Sequence, residues 1–299
     1  MLSCKVAEGI EIEKIFSLVH EVWPHDPDLV THTQLRLNSE KHKAAQWLLI
    51  KDDEEIVASL GLFPLEMKVG NEVLSGYSIG AVHTPREYRR RGYGTKLLSF
   101  AIDLMEKQNR YVGLLYSDID PRFYEKHGFR HLQSFAFKYE RQVASSINDA
   151  GSVKVSEVLW SETADHIQKL YENWLDHQGG GLFRNTSYWG WYLKRYPSCR
   201  YFMLRQGKID IGYLAVNIED SKVVVIDFIC LSSKINAKEV FASILSMTNG
   251  PKLVTGWWPL GLEKSSGVEI VERTEEMPMV RLATDLANKN IDFQQADHV

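Results

Sequence analysis

Hydrophobic and polar positions in the first half of the chain switch between two periods. Ile12, Ile15, Phe16 and Val19 share one face of Glu11–Trp23, which predicts a helix that Pro24-His25-Asp26-Pro27 ends. A second helix is expected near Thr31–Lys43. Strands are predicted over Gln46–Lys51 and Ile56–Leu65 around the acidic turn Asp52-Asp53-Glu54-Glu55, with a short one at Glu66–Val69. After the Gly70-Asn71 turn another covers Tyr77–Thr84. Leu97, Ala101, Leu104 and Met105 return to helical spacing. Tyr111–Tyr116 reads as a buried strand, Pro121–Phe129 as a short helix ending at glycine, and Phe135–Tyr139 as the alternating last strand of a first domain. The small polar residues from Arg141 to Ser152 mark a boundary, giving domains 1–145 and 153–299.

The second half repeats that order. Helices are predicted over Glu162–His177 and Thr186–Arg195, strands over Arg200–Arg205, Ile211–Asn217 and Val223–Leu231, a helix over Ala237–Met247 and a strand over Lys252–Trp257. Pro121-x-x-Tyr124-Glu125-Lys126 has a counterpart in Pro259-x-x-Leu262-Glu263-Lys264, and Gly128 corresponds to Gly267. The aromatic residues Trp174, Tyr188, Trp189, Trp191, Tyr192, Trp257 and Trp258 could offer faces to a cation, but with Trp189 and Tyr192 at helical spacing they read as core or interface packing.

The stretch Ser78–Gly94 carries the chemistry. A strand runs into Arg89-Arg90-Arg91-Gly92-Tyr93-Gly94 and then into a helix. Glycines let backbone approach an anion, the first N–H groups of a helix lack internal partners, and the helix dipole favours negative charge there. A dinucleotide fingerprint needs a third glycine, and a Walker A loop needs a glycine where Arg89 stands. The stretch resembles the Arg/Gln-x-x-Gly-x-Gly/Ala signature of the GNAT N-acetyltransferases, here Arg89, Gly92 and Gly94. Phe123-Tyr124-Glu125-Lys126-His127-Gly128-Phe129 resembles a second stretch of the same fold.

The resemblance implies an α+β chain of two tandem GNAT-like domains, each a mixed, mostly antiparallel twisted sheet flanked by helices. It implies acetyl-CoA as co-substrate, aligned by Ala81, Val82, His83 and Thr84, with its pyrophosphate on Arg89, Arg90, Arg91, Gly92, Tyr93, Gly94 and Thr95. Tyr124 is then the proton donor to the departing thiolate, since a phenol of pKa near ~10 stays protonated at neutral pH. Trp23, His25 and Asp26 become candidate substrate-side residues. His83, Glu66, Asp118 and Asp120 are open as general base, with Asp118 read as a helix cap. The second domain has Leu262 in place of the phenol, and its Ser232–Asn236 turn lacks glycine and arginine, so it is expected to be a degenerate, non-catalytic copy. That arrangement resembles the Eis-like tandem group, some of whose members use a terminal carboxylate as base. Asn288–Val299 reads instead as a surface tail.

Composition narrows the rest. A net charge of −4 gives no general attraction to nucleic acid or to an anionic membrane. The three cysteines, Cys4, Cys199 and Cys230, have neither disulfide nor metal spacing, and with no signal-type apolar core a cytoplasmic protein without a metal is expected. His42, His127 and His131 read as surface residues. The expected activity is acetyl transfer to a primary amine of a small molecule. A protein lysine acetyltransferase and a non-enzymatic acyl-CoA-binding module are the alternatives, with oligomeric state open.

Overall fold

The computed structural model describes residues 2–141, 153–248, 250–282 and 291–298. The first half runs β1 (Ser3–Val6), α1 (Ile10–Val19), α2 (Leu29–Asn38), α3 (Glu40–Ala44), β2 (Gln46–Asp52), β3 (Glu55–Val69), β4 (Glu72–His83), α4 (Tyr93–Lys107), β5 (Val112–Ser117), α5 (Arg122–Glu125), β6 (Arg130–His131) and β7 (Phe135–Glu140). Two expectations change here. The predicted second helix is two, because Ser39 takes an extended conformation between them, and the strands predicted over 56–65 and 66–69 are one.

The second half continues with β8 (Lys154–Val158), α6 (Trp160–Gln178), β9 (Gly180–Leu182), α7 (Thr186–Arg195), β10 (Arg200–Gln206), β11 (Ile209–Ile218), β12 (Lys222–Cys230), α8 (Ala237–Met247), β13 (Leu253–Trp258), β14 (Glu269–Glu272) and β15 (Met277–Leu282). These elements make two mixed sheets flanked by helices, the α+β class expected. Among the described residues each sheet holds one parallel pair, β4 with β5 and β12 with β13. The repeat extends to backbone detail: the Tyr124 N–H bonds to Pro121 C=O and the Leu262 N–H to Pro259 C=O, and Gly128 and Gly267 have φ of 80° and 81°. Those left-handed angles are why both positions are glycine.

The sheets exchange strands. The first has the order β1-β2-β3-β4-β5-β15-β6, with β9 on β3, and the second β14-β7-β13-β12-β11-β10-β8. Phe135–Tyr139 therefore does not close the first domain, as its alternation suggested. It lies between β14 and β13, where Phe137 stacks on Phe241 of α8 at 4.7 Å. Alternation shows that one face is buried but not which core receives it. In return β15, from the second half, separates β5 from β6. The division at 145/153 stays a proposal about repeat units, since hydrogen-bonded strands cross it in both directions.

One core lies under α4, whose Leu97, Leu98, Ala101, Ile102 and Met105 face the first sheet. The second sheet has α8 on one face and α6 and α7 on the other, and here Trp174, Trp189 and Tyr192 are core residues, as expected. No helix of the described residues is long and apolar enough to cross a membrane.

Candidate active site

The site begins where two strands part. β4 pairs with β5 only from Gly76–Val112 to Ser78–Leu114. Further along, β4 carries a bulge against β3: Gly80 faces Gly61 and His83 faces Ser59, so Ala81 and Val82 stand opposite Leu60 alone. Ala81 adopts φ of 50°, a conformation that disfavours a side chain by about 1–2 kcal/mol. The bulge frees backbone groups of residues 81–82 from the ladder, beside the opening.

That opening is a cleft of about 620 Å³. One wall is Ala81, Val82, His83 and Thr84, the floor is Arg89, Arg90, Gly92, Tyr93, Gly94 and Thr95, and Tyr116, Asp118, Phe123 and Tyr124 face them. Gly92 caps α4 with φ of 79°, and the first helical bond runs from Lys96 N–H to Gly92 C=O. The N–H groups of Tyr93, Gly94 and Thr95 precede that bond at the positive end of the dipole. Arg89 Nε donates to Thr84 C=O at 2.9 Å, holding the loop to the strand. Ten of the eleven predicted cofactor residues line this cleft. Arg91 does not; its guanidinium lies 5.6 Å from the Tyr88 ring centre. Gly92→Val, which forces a β-branched side chain into a left-handed cap, is expected to weaken acetyl-CoA binding at least tenfold by calorimetry with the fold retained.

Tyr124 is buried, its ring edge-on to Phe123 at 4.9 Å and to Phe129 at 6.2 Å. Burial first, and then the Asp118 carboxylate, push its phenol up to about 12. It is therefore an acid that keeps its proton. Two further polar atoms on this cleft, Tyr116 Oη and His83 Nδ1, are buried without a hydrogen-bond partner. Unpaired buried atoms of this kind fit a site that a polar ligand completes.

A second cavity, about 680 Å³, joins the cleft at Trp23, Ile79, Gly80, Ala81, Tyr116 and Asp118. Trp23 and His25 line it, as expected. Asp26 does not: its carboxylate accepts the Asp28 N–H at 2.9 Å and its C=O meets His20 Nε2. The second half of the chain supplies Trp191, Lys194, Arg195, Glu276 and His298 to the same cavity. Trp191 belongs to an aromatic run that the sequence marked only as packing, and Lys194, Arg195, Glu276 and His298 carried no signal because they stand in polar stretches.

Residues 4–132 match the acetyltransferase (GNAT) domain family. This segment is a GNAT acetyltransferase domain. No curated protein matches the sequence. Among solved structures, the chain is similar to a probable N-acyltransferase of unknown function from Enterococcus faecalis V583, at 16% identity over 95% of this chain and 72% of that one, with a TM-score of 0.71. A GCN5-related N-acetyltransferase from Anabaena variabilis gives 16%, 95%, 73% and 0.72. Eis1 from Mycobacterium abscessus gives 14%, 95%, 74% and 0.62. The shared fold thus extends over both halves, beyond the GNAT domain that the family match covers.

Three sequence readings around the second cavity are corrected. His42 is not a surface residue: it stacks on Trp47 with centroids 6.0 Å apart and bonds to Ser39 Oγ and the Arg36 guanidinium. Asp118 is not a helix cap. Asp120 accepts the Arg122 N–H at 3.0 Å and so holds that turn, whereas Asp118 accepts the Glu276 N–H at 3.0 Å and faces both cavities.

The third correction concerns the tail. Residues 288–290 and Val299 lie outside the described residues, but Ile291, Asp292, Phe293, Gln294 and Asp297 are buried. Arg184 donates two bonds of 2.7 Å to Asp227 and a 2.8 Å bond to Asp297, all with side chains fully buried. Gln294 Oε1 accepts the Phe228 N–H at 2.9 Å, just past the point where β12 and β13 stop pairing at Val225–Gly256. The tail thus fills in the second sheet the opening that the first cleft occupies in the first sheet. It delivers His298 to the second cavity, 4.6 Å from the Tyr116 ring, where burial and then Arg195 push its imidazole down to about 4.

The candidate bases separate by position. His83 meets Glu21 at 2.8 Å and, of the two cavities, lines only the first cleft. Glu66 accepts from Asn185 at 2.8 Å, away from Tyr124's cleft, and Asp120 is paired with Arg122. Asp118 alone of these lines both cavities. Among the described residues no His, Cys, Asp and Glu side chains gather in a group of three or more that could hold a metal.

Proposed function

We propose that the chain is an acetyl-CoA-dependent N-acetyltransferase acting on a primary amine of a small molecule, by direct attack in a ternary complex. The observation that carries this reading is the continuous path from the α4 N-terminus, past the Ala81–Val82 bulge and Tyr124, into a cavity walled by both halves of the chain. The cofactor's thioester supplies an activated acetyl group. The free N–H groups of residues 93–95, with Arg89 and Arg90, suit a pyrophosphate. A backbone N–H near Val82 would polarise the thioester carbonyl. Tyr124 would give its proton to the sulfur as the C–S bond breaks.

The amine must lose a proton before it attacks, and we assign that task to Asp118, directly or through one water. Asp118→Asn is expected to lower kcat about a hundredfold or more with little change in acetyl-CoA binding. It also removes the lesser of the two causes that raise the Tyr124 phenol, while burial, the larger one, stays, so the acid limb set by the base is the part of the pH–rate profile expected to change. A wild-type kcat and pH profile in this variant would exclude Asp118 as base.

Trp191 and His298, from the second half, wall the acceptor cavity on one side, which favours a small acceptor over a protein lysine that needs an open groove. The division of labour between the halves follows the same lines: the first is the catalytic unit, and the second, its equivalent opening filled by Gln294, is non-catalytic. Thiol release from acetyl-CoA across a panel of amines is the test. Cofactor binding without turnover on any amine would leave the non-enzymatic binding module.

A further inference from the structure

We infer that the acceptor is a zwitterionic amine with an apolar arm: its ammonium meets Asp118, an anionic group meets Lys41, and the arm enters a third cavity beyond. This rests on the acetyltransferase reading and names its substrate class.

The third cavity holds about 460 Å³ between β3 and β4 on one side and β9 and α7 on the other. Its wall is largely apolar, including Leu65, Leu182 and Phe183, and it opens into the acceptor cavity beside Lys41, Phe63 and Trp191. That volume takes a phenyl or isobutyl group with room to spare. Lys41 stands at the junction, its Nζ 5.1 Å from the Phe63 ring centre and 4.8 Å from that of Trp191. Among the described residues no carboxylate lies within ion-pair distance of it. The adjacent Glu40 is held by Lys194, at 2.8 Å to each oxygen.

The cavity is polarised along its length. At the end shared with the cofactor cleft stands Asp118, bonded to the Glu276 backbone. At the junction with the third cavity stands Lys41; Arg36 and Arg195 also line the cavity, as do Glu276 and the Glu40 that Lys194 holds. Burial first, then repulsion from Arg195 and Arg36, hold the Lys41 ammonium well below the ordinary lysine range. The imidazoles of His25 and His42 are held down to about 4 and about 3, burial being the larger cause and Lys41 one of the lesser ones. A polycation reaching past the reaction centre would add to that repulsion, whereas an anion at Lys41 relieves it. The rings and the apolar wall then take a hydrophobic substituent.

The full-length protein can be tested by thiol release with matched amines. The set is phenylalanine, its aminophosphonic analogue, 2-phenylethylamine, glycine, spermidine and tobramycin. Phenylalanine is expected to exceed 2-phenylethylamine, glycine and spermidine in kcat/KM by about tenfold to a hundredfold, the range of a hydrogen bond to a charged group. The aminophosphonic analogue tells whether the anion is read as a carboxylate or as a phosphate-like group. Lys41→Gln should collapse the ratio of phenylalanine to 2-phenylethylamine toward one, through KM rather than kcat. Ser187→Trp, at an exposed position on the third cavity, should collapse the ratio of phenylalanine to glycine.

Spermidine or tobramycin outrunning phenylalanine, or an unchanged ratio in Lys41→Gln, overturns the inference while leaving acetyl transfer intact. If no amine is acetylated although acetyl-CoA binds, the acetyltransferase reading falls instead. Calorimetric titration with N-acetylphenylalanine then still decides the inference: equal affinity in wild type and Lys41→Gln overturns it, and a tenfold loss supports it.

Discussion

Tyr124→Phe is expected to lower kcat by about a hundredfold to ten-thousandfold, the range for a positioned general acid, while the affinity for acetyl-CoA stays within about twofold. The substitution keeps the ring that packs against Phe123 and Phe129 and removes a single oxygen. That hydroxyl has no hydrogen-bond partner among the described residues, so its loss leaves no protein group stranded. An unchanged melting temperature alongside a fallen rate would assign the loss to chemistry. The pH dependence has a definite sign. A phenol raised to about 12 is in its donor form at all lower pH and loses that form only as pH climbs through 12. Wild type should therefore show no alkaline fall from this group in the ordinary assay range. Equal rates for the two proteins at every pH would remove Tyr124 from the mechanism.

The cofactor side was legible because its signals are local. A glycine turn, a run of arginines and a helical period all lie within Ser78–Met105; together with the GNAT resemblance they marked eleven residues, ten of which face one cleft. The exception, Arg91, fails for a local reason as well: three successive arginines cannot all point the same way, and this one covers Tyr88. Tyr124 was marked by the resemblance of Phe123–Phe129 to a stretch of the GNAT fold, whose short helix the structure closes at Gly128 with φ of 80°.

The acceptor side was not legible, and the reason is distance along the chain. Asp297 is polar and near the end of a polar stretch, which reads as solvated. Its partner Arg184 lies 113 residues away, and that of Gln294 lies 66 away. A buried polar residue is tolerable only with its partners in place, and no spacing rule points to them. Likewise β15 contains Pro278, which argues against an inner strand, so the strand that completes the first sheet carried no positive signal. His42 and Lys41 became cavity residues because α7, from the other half, stands over them.

That exchange leads to the second large effect. Cutting the chain within residues 142–152 and producing the halves separately should leave neither one cooperatively folded. The first half would carry β7 without its sheet, exposing Phe137 and Tyr139, and would lack the β15 residues Met279 and Val280 that are fully buried against β5 and β6. Each such side chain contributes about 1.5–3 kcal/mol when buried. Four of them together match the entire stability of an ordinary domain, about 5–15 kcal/mol. The open edge of β5 would also invite pairing with other chains, so aggregation is the expected form of failure. Co-expression of the two halves should rescue folding, because the exchanged strands then find their sheets in trans. Size-exclusion chromatography and thermal melts decide the matter. A soluble, cooperatively melting fragment 1–145 that binds acetyl-CoA alone would show that β7 and β15 are ornaments on a self-sufficient domain. Recovery only in the co-expressed pair would mean that the acceptor cavity, built from both halves, forms only in the assembled fold.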